Sequence, residues 1–118
     1  MDNFKHINLD YLNEMSDGSK DLVRDLINMF IKQVPVFSEQ LDVCYKNGDY
    51  ISLGKLAHKI KSSVAMMGIM ELTSDMKTLE MIAKEGIDVE KYPVYISKFK
   101  VISSEAVNEL NNILIKLK

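Results

Sequence analysis

The sequence predicts an all-α domain: an up-down-up-down antiparallel four-helix bundle with a short extra helix at its N-terminal end. Three observations predict it. Apolar residues recur at helical spacing in five stretches, and none shows the strict alternation of a half-buried strand. The connections between stretches are short and polar or glycine-containing, which makes successive helices antiparallel neighbours. The chain has 118 residues and is 47% hydrophobic, enough for one core, so residues 1–118 read as a single domain.

The elements follow in order. A short helix over about Leu9 to Met15 ends in the turn Ser16-Asp17-Gly18-Ser19. Ser19 is a suitable N-cap for a second helix with the apolar face Leu22, Val23, Leu26, Ile27, Phe30 and Val34. Pro35 lacks an amide donor and crowds the preceding turn, so a kink or break is expected near Val34. The pattern resumes with Phe37, Leu41, Cys44 and Tyr45 and stops at Asn47-Gly48. Asp49 can cap a third helix that ends near Gly68. A fourth runs from about Ile69 to Lys84, closed by Gly86. The last begins near Tyr92-Pro93, where proline fits a first turn, and carries apolar residues at helical spacing to Leu117.

Composition excludes several classes. Net charge is −2 and no basic tract is present, so no nucleic-acid partner is expected. The longest apolar run, Val64 to Met70, is far too short to cross a bilayer, and MDNFKHIN lacks the apolar core of a signal peptide. The single cysteine, Cys44, cannot form an intrachain disulfide, which fits a reducing cytoplasm, and it reads as a small buried hydrophobe beside Leu41. The eight methionines read chiefly as core filling. His6 reads as a solvated residue near a frayed terminus.

The segment 57–68, AHKIKSSVAMMG, is the most informative. Leu53, Leu56, Ala57, Ile60, Val64 and Met67 form one apolar stripe, and His58 lies roughly 155° from its middle at about 100° per residue. The imidazole therefore points outward. Its neighbours one turn away are Lys55, Gly54, Lys61 and Ser62, either small or able to swing aside, and Ala65 follows at i+7. Gly54 costs a helix interior about 1 kcal/mol against alanine, which is more readily tolerated where backbone or a ligand must come close. On the wheel alone an ordinary surface histidine is the commoner reading.

The fourth helix carries a second clue. Its stripe is Ile69, Leu72, Met76, Leu79 and Ala83, and Glu80 falls about 70° from the middle. A carboxylate leaning into a bundle needs a partner. A neighbouring imidazole N–H would serve, and the carboxylate would then fix the ring's tautomer, leaving the other nitrogen nucleophilic. Periodicity is equally compatible with a solvated Glu80 paired to Lys77 or Lys84.

With Ala57, His58, Lys61, Ser62, Ser63 and Gly68 in that spacing, the chain resembles the histidine phosphotransfer (HPt) domains of multistep two-component phosphorelays. Phe30, Pro35, Gly48-Asp49, Leu72 and Leu79-Glu80 agree, and the resemblance covers roughly Leu9 to Gly86. It implies a phosphocarrier rather than an enzyme. His58 would accept a phosphoryl group from a receiver-domain aspartyl phosphate and pass it to another receiver aspartate. Lys61 would stabilise the phosphoryl oxygens, with Lys55 and Lys59 acting more loosely. Glu80 would orient the imidazole, and Ser62 would permit close approach where the family often has glycine. Implied partners are response-regulator receivers and a hybrid sensor kinase, docking on Gly54, Lys55, Ala65, Met66, Lys77, Met81 and Lys84. The chain would need no cofactor of its own, with Mg²⁺ supplied by the receiver, and would act as a cytoplasmic monomer. It has no GxxxxGK[ST] loop, so it is not expected to use ATP.

Two rivals stand beside this reading. A metal-binding bundle would use clusters such as Glu-x-x-His on facing helices, and neither His6 nor His58 sits in one. A non-catalytic helical adaptor would share the bundle but have no use for His58, Lys61 and Glu80 together.

Overall fold

The computed structural model describes residues 4–117. Five α-helices account for most of them: α1 (Leu9–Met15), α2 (Lys20–Lys46), α3 (Tyr50–Met66), α4 (Met70–Glu85) and α5 (Tyr92–Lys116). A single 3₁₀ turn, Val89–Lys91, leads into α5, and the described residues contain no strand. The caps are the ones local sequence predicts. Ser19 and Asp49 accept hydrogen bonds from the amides of Leu22 and Ser52, and Gly86 closes α4 in the left-handed conformation.

Cross-helix contacts define the directions. Along α3 and α4, Gly54 lies against Ala83 and Lys84, while His58 and Lys61 meet Glu80. Advancing along one helix retreats along the other. The same reversal links α2 to α5 through Arg24 with Leu117 and Asp42 with Lys100. It links α4 to α5 through Asp75 with Lys98 and Ile82 with Tyr92. Helices α2, α3, α4 and α5 therefore alternate in direction around one core.

Lengths explain the role of the N-terminal segment. At about 1.5 Å per residue, α2 is roughly 40 Å long and α3 and α4 only about 25 Å, against a long axis of 44 Å. The uncovered end is closed by α1 and the residues before it. Ile7 and Leu12 enter the core, the Asn8 amide donates to Met67 O at 3.2 Å, and Glu109 accepts from the His6 and Ile7 amides. His6 is consequently not solvated as expected. Its side chain is 6% exposed and its Nε2 meets Glu105 Oε1 at 2.7 Å. That hydrogen bond is the main reason the Glu105 carboxyl is held below its ordinary pKa.

Four further expectations change. The break near Val34 does not occur, and α2 runs unbroken through Pro35. Interior proline costs about 3 kcal/mol or more. Phe30 on one side and Phe37 and Leu41 on the other are all buried in phase, and each such side chain is worth about 1.5–3 kcal/mol, so packing outweighs the local penalty. Leu22 is 43% exposed because it lies about 100° from the middle of the α2 stripe. Cys44 is only half-buried, at the core's edge; that burial, aided by Asp49, pushes its thiol pKa up. Met67 and Met76 fill the core, but Met15, Met29, Met70 and Met81 are exposed.

One buried group had no sequence signal. Tyr92 is fully buried, stacks edge-on against Tyr50 at 5.1 Å, and donates its hydroxyl proton to Ile82 O at 3.0 Å. It ties the start of α5 to the end of α4.

Candidate functional site

The site is built where Gly54 of α3 packs against the backbone of α4. The glycine sets the separation there. A Cβ placed on it would lie 3.4 Å from both the Glu80 carbonyl oxygen and the Lys84 amide nitrogen. The glycine is buried against α4 backbone, so of the two close approaches the sequence left open, backbone or ligand, its small size serves that of the α4 backbone. One turn later the same approach brings His58 opposite Glu80.

Leu53, Ala57, Ile60 and Val64 bury the inner face of α3, and His58 points away from them with its side chain 62% exposed. Its Nδ1 lies 2.9 Å from Glu80 Oε2. The other oxygen, Glu80 Oε1, accepts from Lys61 Nζ at 3.0 Å. One carboxylate thus joins an imidazole and an ammonium from consecutive turns of the facing helix. Glu80 and Lys61 are each little more than a quarter exposed.

Electrostatics settles the proton's position. The Lys61 hydrogen bond is the largest influence on Glu80. With the smaller contribution from His58, it outweighs burial and holds the carboxyl below its ordinary pKa. An ionised carboxylate can only accept hydrogen bonds. Nδ1 is therefore the nitrogen that carries the proton toward Glu80, and in the neutral ring Nε2 then has its lone pair free on the outer side.

A cavity of about 410 Å³ opens beside the ring, lined by Ile51, Gly54, Lys55, His58, Glu80 and Lys84. Ile51 was not anticipated, although it lies seven residues before His58, on the same face as Ala65 seven residues after it. Lys55 from α3 and Lys84 from α4 are both exposed at this opening. Ser62, one turn beyond His58, is also exposed; Ala65 and Met66 are half-buried, and Lys77 and Met81 are exposed on α4 outside the cavity walls. Two lysines of α3 have partners within the bundle. Lys61 places its ammonium on Glu80, and Lys59 lies over the Phe37 ring of α2 at 5.9 Å, turned away from His58. Among the described residues no group of three or more His, Cys, Asp or Glu side chains could hold a metal ion. No helix in them is long and apolar enough to cross a membrane.

Comparison with known proteins gives one match. The family model described as the Hpt domain matches residues 25–114, which contain all of α3 and α4 and most of α2 and α5. Searches of curated proteins and of solved structures returned no match.

Proposed function

The chain belongs to the Hpt domain family, and we propose that His58 is its phosphoacceptor, taking a phosphoryl group from a receiver-domain aspartyl phosphate and passing it to the aspartate of another receiver. Membership of the family gives the chain a phosphotransfer role in two-component signalling, with receiver or kinase proteins as partners. The observation that carries the finer reading is the exposed His58 ring, anchored through Nδ1 to Glu80 with Nε2 free.

In the forward step Nε2 attacks phosphorus as the docked receiver's aspartyl phosphate is held in line. An N–P bond forms, the P–O bond to the aspartate breaks, and the carboxylate leaves with the electron pair. The Nδ1 proton stays on the ring and shares its developing positive charge with Glu80. The second receiver reverses this sequence. Such transfer depends on positioning and charge stabilisation more than on covalent machinery in the protein, so the Mg²⁺ belongs to the receiver and the chain acts as carrier and co-substrate. Ser62 leaves room for the visitor. Ala65, Met66, Lys77 and Met81 form the outlying docking surface, which is modest, as a contact that must release quickly requires. The chain acts as a cytoplasmic monomer.

The test is to incubate the protein with receivers phosphorylated by a small-molecule donor and follow labelled phosphate. Transfer to the wild type, with none to His58→Gln of unchanged helicity, is the expected result. Label on His58→Gln would refute the assignment.

A further inference from the structure

The cavity beside His58 has walls of different charge. On one side the Glu80 carboxylate holds both His58 Nδ1 and Lys61 Nζ. A neutral imidazole, a carboxylate and an ammonium sum to zero, so Lys61 has no uncompensated charge to offer an anion. On the other side stand Lys55, three residues before His58, and Lys84, four residues after Glu80. Lys55 has Asp49, the α3 cap, as a charged neighbour. Lys84 forms no ion pair among the described residues. Without a side chain on α3 at Gly54, the Lys84 amide comes within 3.4 Å of where a Cβ would stand, so Lys84 leaves α4 directly beside Gly54.

We propose that Lys55 and Lys84 are the cations that contact the phosphoryl oxygens on His58, and that Lys61 is a positioning residue acting on the imidazole only through Glu80. This rests on His58 being the phosphoacceptor. A phosphoryl group on Nε2 brings on the order of two negative charges at neutral pH. It extends from the outer nitrogen, away from the Glu80 carboxylate that would repel it, and the two lysines in the cavity lining match its charge. Lys61 sets the acceptor's tautomer and the other two receive what it accepts.

The experiment uses phosphoramidate, which phosphorylates without a receiver, and reads the phosphohistidine by ³¹P NMR as pH is varied. A unit charge about 5 Å away through a water-like medium shifts a pKa by roughly half a unit. Lys55→Met and Lys84→Met should each raise the phosphoryl group's second pKa by about that much, and together by about one unit. The pair variant Lys61→Met/Glu80→Gln removes equal and opposite charges. It should leave that pKa unmoved while changing the ¹⁵N shifts of the unphosphorylated His58 ring. A rise in the pair variant as large as in the Lys55/Lys84 double variant would overturn the proposal. So would a double variant that titrates like wild type. Failure of transfer from a receiver would count against the relay alone, because this measurement needs no receiver. A phosphohistidine signal surviving in His58→Gln would remove both readings.

Discussion

Substitution at Gly54 separates two meanings of a small residue beside a reactive histidine. If the glycine keeps space for a visiting protein, any added carbon impairs transfer and leaves stability nearly unchanged. The structure says otherwise, because the missing Cβ points at α4 backbone, 3.4 Å from Glu80 O and Lys84 N and 3.6 Å from Ala83 Cβ. Those are tight but ordinary contacts. Alanine gains about 1 kcal/mol of helix propensity, so Gly54→Ala should be neutral or stabilising by up to about that amount. Gly54→Val adds two methyls that must enter occupied space, and overpacking of this kind costs about 1–3 kcal/mol. Relief comes by moving α3 and α4 apart. The His58–Glu80 contact, 2.9 Å long, then stretches toward the limit of a hydrogen bond. Urea denaturation gives the stabilities, and ¹H–¹⁵N correlation of the imidazole gives the tautomer. The expected pattern is a stable alanine variant with wild-type His58 signals, and a destabilised valine variant whose ring samples both tautomers. An alanine variant of unchanged stability and tautomer that no longer accepts phosphate would refute the reasoning.

Four other outcomes follow from the structure. Gly68 has a φ of +74°, and an added Cβ would collide with Asn8 Cβ. Gly68→Ala therefore combines about 1–2 kcal/mol of left-handed strain with displacement of the N-terminal segment; a loss below 1 kcal/mol by urea denaturation would contradict this. Pro35→Ala restores an amide donor inside a continuous helix and should stabilise by up to about 3 kcal/mol, visible as a higher Tm; a destabilised variant would mean the proline is needed where it stands. Glu80→Gln keeps an acceptor for Nδ1 but releases Lys61, and phosphoryl acceptance should fall about tenfold, on the scale of one charged hydrogen bond. The pH dependence has a definite sign. Because the folded Glu80 pKa is lowered, its contribution to stability is complete above the unfolded value and is lost as pH falls through the folded one. Carboxyl ¹³C titration should place that midpoint below the ordinary glutamate value, and a midpoint above it would reverse the electrostatic argument.

Local signals carried most of the fold. The bounds of α1, the caps Ser19, Asp49 and Gly86, and the buried stripes of α3 and α4 all depend on residues within a turn or two of each other. Interactions between helices were less legible. Glu80 could be placed about 70° from its stripe, but that angle left His58, Lys77 and Lys84 open as partners. The choice of His58 and Lys61 depends on the distance between α3 and α4, and Gly54 sets that distance. Gly54 was itself ambiguous for the same reason, since a wheel describes one helix and cannot tell which side has a neighbour. Pro35 misled because its penalty is local and the burial of Phe30, Phe37 and Leu41 is not. His6 misled because it precedes the first helix, where no periodicity exists, and its acceptor lies 99 residues away on α5.

Every group within hydrogen-bonding reach of the imidazole comes from α3 or α4, the pair with the most extensive contact in the bundle. The other helices can then act on His58 chemistry only by shifting that pair. The Lys98–Asp75 ion pair offers a direct check, because it ties α5 to α4, with nitrogen–oxygen distances of 3.1 and 3.0 Å. Asp75 sits more than a full turn before Glu80 on the same rigid helix. Lys98→Met leaves the Asp75 carboxylate, whose side chain is only 13% exposed, without its cation. An unpaired, largely buried charge costs about 1–3 kcal/mol or more. Yet nothing in the change draws α4 away from Gly54. The variant should lose stability and keep the wild-type His58 tautomer and phosphorylation rate. A variant that keeps its stability but loses the tautomer would mean that α4 is held against His58 through α5 and not by the glycine contact.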